Sequence, residues 1–180
     1  ILQKLGYCVF DADQLVSVAL TSPEVEEKLK NLFGTESYIN TGIPNREFIR
    51  KSVFSNQKQR LLLEEILHPI VKKMFEDFVY VLQSRGISCW VFYEASLIFE
   101  KNLQNCFDAN ILVTSDDQNR IHRIQTSRNL SEDIIKQIIL QQMPTEEKKL
   151  YADYIIENSG DFSELENKVN ELIKFLKNKF

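Results

Sequence analysis

Two carboxylates, Asp11 and Asp13, directly follow a short hydrophobic run near the start of the chain, Tyr7–Phe10. In open α/β sheets, ligands bind beyond the carboxyl ends of the strands, so acidic side chains there face a site by default. Residues two apart on an extended chain project from the same side, where these two could hold Mg²⁺ through water or take a proton from an attacking hydroxyl. The alternative is that Asp13 caps a helix that begins near Gln14.

A basic cluster follows the turn Thr41–Asn45 and contains Arg46, Arg50 and Lys51. A helix N-terminus together with arginine suits a phosphate group, although such a cluster is also typical of a solvated helix face. His68 is one of only two histidines. It is either a catalytic group or a satisfied histidine at the start of a helix.

Further charged candidates follow the next two hydrophobic runs. Glu94 and Glu100 bracket the segment EASLIFE, which follows the run Cys89–Tyr93, and both could face the same crevice as Asp11 or lie on the surface. A polar stretch that extends to Pro144 predicts a mobile flap or a plain charged helix. Arginines on a flap can stabilise charge on a transferring phosphoryl group and help to exclude water. Its arginines are Arg120, Arg123 and Arg128.

Short apolar runs rich in Val, Ile and aromatic residues alternate with helical patterns along the chain. Continuous hydrophobicity favours strands that are buried on both faces, and therefore a parallel sheet. Residues 14–86 contain no strand pattern and predict inserted helices, one of them started or kinked by Pro69. The tail from Ser163 predicts a helix that closes over the sheet. The four predicted strands are Tyr7–Phe10, Cys89–Tyr93, Ile111–Ser115 and Tyr154–Ile156.

Composition sets broad limits on the function. The chain has 180 residues, of which 43% are hydrophobic, and this suits one globular domain with an appended subdomain. A net charge of -4 argues against a general nucleic-acid or membrane binder. Three widely spaced cysteines, Cys8, Cys89 and Cys106, argue against a disulfide framework or a zinc site and favour a reducing cytoplasm. Composition leaves the oligomeric state open.

Five segments, taken in order and at similar spacings, resemble the dephospho-coenzyme A kinase family: LGYCVFDAD, NREFIRKSVF, LEEILHPIV, EASLIFE and QQMPTEEKKLYADYIIENSG. The resemblance covers almost the whole chain. It implies a P-loop kinase that transfers the γ-phosphate of ATP, with Mg²⁺, to the ribose 3′-hydroxyl of dephospho-coenzyme A, the last step of coenzyme A synthesis. It implies an α/β fold with a parallel-sheet core of three layers, α/β/α, an inserted helical substrate domain and a helical lid. The implied core comprises residues 1–15, 87–117 and 146–180, the substrate domain 16–86 and the lid 118–145.

The resemblance also implies roles for single residues. Asp11 would be the general base for the 3′-hydroxyl, or the carboxylate on the metal side through water, and Asp13 would support it. Arg46, His68 and Glu100 would bind the acceptor substrate. Ser96 replaces a proline that is usual in the family, and Arg128 stands one position later than the usual lid arginine. The implied lid and nucleotide residues are Arg120, Arg123, Arg128, Gln142, Lys148 and Asn158.

The sequence lacks a phosphate loop of the form GxxxxGK[ST]. Such a loop supplies backbone N–H groups, a lysine for the β- and γ-phosphates and a hydroxyl for Mg²⁺. The family places it one strand and one helix before LGY, so we expect a further upstream segment of about 20 to 25 residues. Without it we expect this chain to be inactive and, because sheet edges would be exposed, prone to aggregation. The alternatives are another small-molecule P-loop kinase, of the nucleoside or shikimate type, or a non-catalytic degenerate kinase fold used for binding.

Overall fold

A computed structural model describes residues 1–128 and 130–180, without the side chains of Ser55 and Arg128. The chain divides into two compact units. One comprises Gln3–Ser96, and the other comprises Leu97–Phe180 together with Ile1–Leu2. No helix among the described residues combines the length and the apolar character that crossing a membrane requires.

A parallel strand pair forms the sheet of the unit Gln3–Ser96. Strand β1 (Cys8–Asp11) pairs with β4 (Val91–Glu94), and the register runs from Cys8 opposite Val91 to Asp11 opposite Glu94. Parallel strands end at the same edge of a sheet, so Asp11 and Glu94 lie side by side at the carboxyl ends. The predicted run Cys89–Tyr93 is a strand only from Val91.

Four helices connect these two strands, and each begins at a polar residue whose side chain accepts a backbone N–H. Such a cap satisfies one of the free donors in the first helical turn, which is why the helices begin at these positions. The capping residues are Asp11, Ser22, Asn45 and Asn56 for α1 (Ala12–Ala19), α2 (Pro23–Phe33), α3 (Arg46–Ser55) and α4 (Gln57–Ser84), respectively.

Helix α4 runs through Pro69, so the prediction that a helix starts at this residue is wrong. Proline removes one backbone hydrogen bond from a helix interior. Burial of apolar side chains on this helix outweighs the loss, since Leu67 and Val71 are each only 6% exposed. Val71 shares a cluster with Phe10 of β1, whose ring lies 5.0 Å from that of Phe75.

A short antiparallel hairpin interrupts the helical region, where the sequence predicted no strand; that prediction is wrong. Strand β2 (Tyr38–Asn40) pairs with β3 (Ile43–Pro44) across a turn in which Gly42 has a φ of 72°. The buried carboxylate of Glu26 accepts a hydrogen bond from the Gly42 N–H at 2.6 Å. Strands of two and three residues are too short to produce a periodic pattern, and this hairpin depends on a contact with α2.

The second unit contains the other parallel pair. Strand β5 (Ile111–Thr114) pairs with β6 (Tyr154–Glu157), and the helices are α5 (Asp117–Arg128), α6 (Glu132–Leu140), α7 (Thr145–Lys149) and α8 (Phe162–Lys179). Helix α8 packs on β6 and buries one apolar stripe, which confirms the predicted closing helix. The buried residues of this stripe are Val169, Leu172, Ile173 and Leu176. All four predicted strands are present, and among the described residues they pair in parallel as β1 with β4 and β5 with β6.

Candidate active site

Asp11 has two structural tasks at the end of β1. It is the last residue of β1, opposite Glu94, and its Oδ1 accepts a hydrogen bond of 2.8 Å from the backbone N–H of Gln14. Asp11 therefore caps α1, and the alternative that Asp13 is the cap is wrong. Asp13 lies in the first turn of the helix, so the argument that the two carboxylates project from one side of an extended chain is also wrong.

Asp13 nevertheless faces the end of β4, because its Oδ2 accepts a hydrogen bond of 2.9 Å from the hydroxyl of Ser96. Glu94 is the last residue of β4. Partial burial raises the pKa of Glu94, and the nearby charges of Asp11 and then Asp13 raise it further. The structure thus brings three carboxylates together. The sequence pattern offered Glu94 as an acid that could face the same crevice as Asp11, and the structure has the two side by side. The contact of the Ser96 hydroxyl with Asp13 had no signal in the sequence.

Arg46 is held on the face of α1 that carries Asp13. Its Nη1 donates to the hydroxyl of Ser17 at 2.9 Å, and Nη2 donates to the Ser17 carbonyl at 3.4 Å. Ser17 lies four residues after Asp13, and its hydroxyl donates to the Asp13 carbonyl at 3.4 Å. Arg46 is therefore about one helical turn, roughly 5.4 Å, from Asp13 along α1. Ser17 had no sequence signal, since its contact depends on how α1 and α3 pack.

The other basic candidates in this unit have different surroundings. Arg50 is exposed, and Lys51 forms an exposed ion pair of 2.8 Å with Glu47 on its own helix, as on a solvated helix face. His68 lies inside α4 and not at a helix start, so that alternative is wrong. Its side chain is exposed, and no hydrogen bond joins it to the acidic group among the described residues.

Glu100 is partly buried in the second unit and contacts two residues of the later segment 143–148. Its Oε1 accepts from Lys148 Nζ at 2.6 Å and from the Met143 N–H at 3.1 Å. Its Oε2 is buried without a hydrogen-bond partner among the described residues. Lys148 and Glu100 are only 12% and 15% exposed, so this ion pair is largely shielded from water.

The remaining lid and nucleotide candidates are joined through α5. Arg123 Nη1 donates to the Asn158 carbonyl at 2.7 Å, just after β6, while Arg120 Nη2 donates to Gln142 Oε1 at 3.3 Å. Gln142 directly precedes Met143, whose N–H donates to Glu100, so the contact of Arg120 lies next in the chain to the Glu100 ion pair. Arg128 ends α5, and its side chain lies outside the described residues.

Metal binding depends on the donor set. Among the described residues, no group of three or more His, Cys, Asp or Glu side chains is arranged to hold a metal ion. Mg²⁺ in kinases is usually bound through only one or two carboxylates, with waters and substrate phosphates completing its shell. The pair Asp11 and Asp13 fits that mode of binding.

Comparison with known proteins identifies the family. The family model described as Dephospho-CoA kinase matches residues 1–164. A dephospho-CoA kinase of Leptospira interrogans is 32% identical over 179 residues, which cover 98% of this chain and 84% of the relative.

Solved structures agree with this match. The crystal structure of TT1252 from Thermus thermophilus aligns with a TM-score of 0.80 and 30% identity, covering 97% of this chain and 87% of that one. The dephospho-CoA kinase from Campylobacter jejuni has the same fold, with a TM-score of 0.66 and 22% identity, and covers 99% of this chain and 90% of its own. The predicted α/β kinase fold is confirmed, and the chain belongs to the dephospho-CoA kinase family, the ATP-dependent kinases that complete coenzyme A biosynthesis.

Proposed function

We propose that the acidic strand ends and Arg46 bind dephospho-CoA, with its ribose 3′-hydroxyl at the carboxylates, for phosphorylation by ATP. The observation that carries this proposal is the position of Arg46, which is tied to Ser17 one turn from Asp13. A carboxylate that can accept a proton and a cation that can bind an acceptor phosphate then meet at the short helix α1, which Arg46 contacts from α3. This pairing suits a substrate that has both a free hydroxyl and phosphate groups.

Asp11 is the proposed general base. One of its oxygens, Oδ1, is occupied by the helix cap, while Oδ2 has no hydrogen bond among the described residues. A free carboxylate oxygen at a strand end can accept the proton of a hydroxyl as it attacks phosphorus. Asp13, oriented by the Ser96 hydroxyl, supports Asp11, and Glu94 lies beside Asp11 at the end of the neighbouring strand.

Arg46 is the proposed anchor for a phosphate of the acceptor. A guanidinium has five N–H donors in a fixed fork, and its contacts with Ser17 leave donors for an anion. His68, exposed on α4, is proposed as a further acceptor contact. Residues 16–86 would then form the domain that selects dephospho-CoA.

The nucleotide is assigned to the basic residues of the second unit. Arg120 and Arg123 lie on α5, within the proposed lid of residues 118–145, where guanidinium groups would neutralise phosphoryl charge. Gln142, Lys148 and Asn158 are the proposed return of the lid and the adenine end of this region, and Glu100 holds Lys148 in place. Arg128 belongs to the same proposal by position in the sequence alone.

Mg²⁺ is the proposed metal, bound with ATP. Asp11 would hold it through water, with Asp13 beside it, and the ion would neutralise charge on the phosphates. We place the reaction in the cytoplasm, since three free thiols suit a reducing compartment.

The test uses the full gene product and compares two charge-selective variants with a matched control in an assay of ADP release that depends on dephospho-CoA, ATP and Mg²⁺. Asp11→Asn keeps a side chain that caps helices well, so it removes the base without removing the cap. We expect kcat to fall by about 10² to 10⁴. Arg46→Ala should raise KM for dephospho-CoA by about tenfold or more, which corresponds to the loss of one charged contact.

Arg50→Ala is the control, because Arg50 lies on the same helix and is exposed. Its KM and kcat should stay within about twofold of the wild type, as expected for a surface substitution. The proposed base is wrong if Asp11→Asn retains its rate. Equal KM values for the Arg46 and Arg50 variants would remove the anchor from the proposal.

A further inference from the structure

We propose that Cys8 and Cys89 form a modification site, a dithiol that a small-molecule disulfide such as oxidised glutathione converts to an intramolecular disulfide. The two residues are 81 positions apart, yet their Sγ atoms lie 3.0 Å from each other. Both belong to the unit Gln3–Ser96. The sequence argued against a disulfide framework, and this pair is a different feature, since both thiols are free in the structure.

The pairing of β1 with β4 brings the thiols together. Cys8 is the first residue of β1 and lies opposite Val91, and Cys89 precedes Val91 by two residues. A disulfide has an S–S bond of about 2.05 Å, so the two sulfurs must approach by roughly 1 Å. Side-chain rotation and a small adjustment of the segment before β4 can supply a movement of this size.

The site is open to a reagent from one side. Cys89 is exposed, whereas Cys8 is half-buried. The Cys89 thiolate attacks one sulfur of oxidised glutathione, forming a mixed disulfide and releasing one glutathione as thiolate. The Cys8 thiolate then attacks the Cys89 sulfur, the bond to the second glutathione breaks, and the Cys8–Cys89 bond forms. The protein loses two protons and two electrons, and oxidised glutathione is reduced to two molecules of glutathione.

The first step is expected to be slow. The hydrogen bond with Cys8, followed by a smaller desolvation effect, raises the pKa of Cys89 and so lowers the fraction of thiolate. The second step is fast by comparison, because the two sulfurs are already adjacent.

The cross-link lies at the amino ends of β1 and β4. Asp11 is three residues further along β1, about 10 Å away at the usual rise of a strand. The disulfide would therefore fasten the strand pair at one end and leave the carboxylates at the other end in place. It joins segments that are far apart in sequence, so it should raise the melting temperature.

The experiment incubates the protein with oxidised glutathione for hours, blocks the remaining thiols and maps the peptides by mass spectrometry without reduction. We expect a Cys8–Cys89 cross-linked peptide two hydrogens lighter than the sum of its parts, which dithiothreitol separates. The variant Cys106→Ser should give the same product, because Cys106 has no part in it. In Cys89→Ser the cross-link should be absent.

Three results would overturn the proposal. The first is a stable glutathione adduct on Cys89 in the wild type, which would mean that Cys8 cannot reach the second sulfur. The second is three unmodified thiols after treatment that fully oxidises an unstructured control peptide. The third is a dominant disulfide through Cys106, between chains or within one, which would mean that proximity of Cys8 and Cys89 does not direct the reaction.

Discussion

Removing one partner of the ion pair between Lys148 and Glu100 should strongly destabilise the second unit. We consider Lys148→Met, which keeps the length and apolar body of the side chain and removes the charge. Glu100 Oε1 then retains only the Met143 N–H at 3.1 Å, and its Oε2 has no hydrogen-bond partner among the described residues. A carboxylate that is 15% exposed would be left without its counter-ion.

The magnitude follows from that environment. Removing one partner of a fully buried ion pair costs about 3 to 5 kcal/mol, because the other charge stays buried and unpaired. Here some solvent still reaches both side chains, and one N–H still donates to the carboxylate. We therefore expect a loss of about 2 to 3 kcal/mol in the free energy of unfolding, or roughly 4 to 12 °C in melting temperature for a protein of this size.

The assay is urea unfolding followed by circular dichroism on four proteins: the wild type, Lys148→Met, Glu100→Gln and the double variant. Because Glu100→Gln removes the buried charge, the double variant should be more stable than the sum of the two single losses predicts, with a coupling energy of about 1 to 3 kcal/mol. Lys149→Met is the control. Lys149 forms a 2.6 Å ion pair with Glu146, and the two side chains are 38% and 81% exposed, respectively. Loss of this pair should therefore cost about 0.5 kcal/mol or less of unfolding free energy.

The reasoning is refuted if Lys148→Met and Lys149→Met destabilise the protein equally. A coupling energy near zero between Lys148 and Glu100 would have the same meaning. Either result would show that shielding from water does not strengthen this pair.

Three further predictions concern the first unit. Tyr38 donates to the Leu20 carbonyl at 2.7 Å, and burial, followed by the charge of Glu26, raises its pKa to about 12. Tyr38→Phe should cost about 1 kcal/mol of unfolding free energy at neutral pH. The stabilising contribution of this phenol is present below about pH 10 and is lost as the pH rises towards 12, so the melting temperature of the wild type should fall more steeply than that of the variant over this interval. Parallel curves of melting temperature against pH for the two proteins would contradict this. Partial burial, and then the charges of Asp11 and Asp13, raise the pKa of Glu94. Glu94 therefore stabilises the fold at pH values below the ordinary pKa of a glutamate, and this contribution is lost as the pH rises through its raised pKa. Glu94→Gln should therefore melt at a higher temperature than the wild type at pH 7, with the gain vanishing near pH 4, and a lower melting temperature at pH 7 would count against the acidic cluster. Ser96→Ala removes the 2.9 Å hydrogen bond to Asp13 and should lower kcat by about fivefold to tenfold, the equivalent of about 1 to 1.4 kcal/mol, while KM for ATP stays unchanged; a shift in that KM alone would show that Ser96 does not act through Asp13.

Local patterns in the sequence were sufficient to predict four strands and the last helix of the fold. The four core strands are short apolar runs rich in Val, Ile and aromatic residues, and α8 has a stripe of Leu, Ile and Val at helical spacing. Strand ends were predicted to within two residues. The hairpin β2–β3 was missed because two very short strands leave no periodic signal, and it is held by the buried side chains of Tyr38 and Glu26.

The contacts between site residues were harder to predict from the sequence than the strands and helices. The sequence alone, through five ordered motifs, determined the kinase family and named Asp11, Arg46 and Glu100. Only the tertiary structure decided which of two aspartates caps α1, and only it paired residues that are distant along the chain. Arg46 meets Ser17 across 29 positions, Cys89 meets Cys8 across 81, and Ser96 meets Asp13 across 83. Helix and strand patterns record which face of an element is buried, but a hydrogen bond between two exposed polar groups leaves no periodicity, so these partners follow from packing alone.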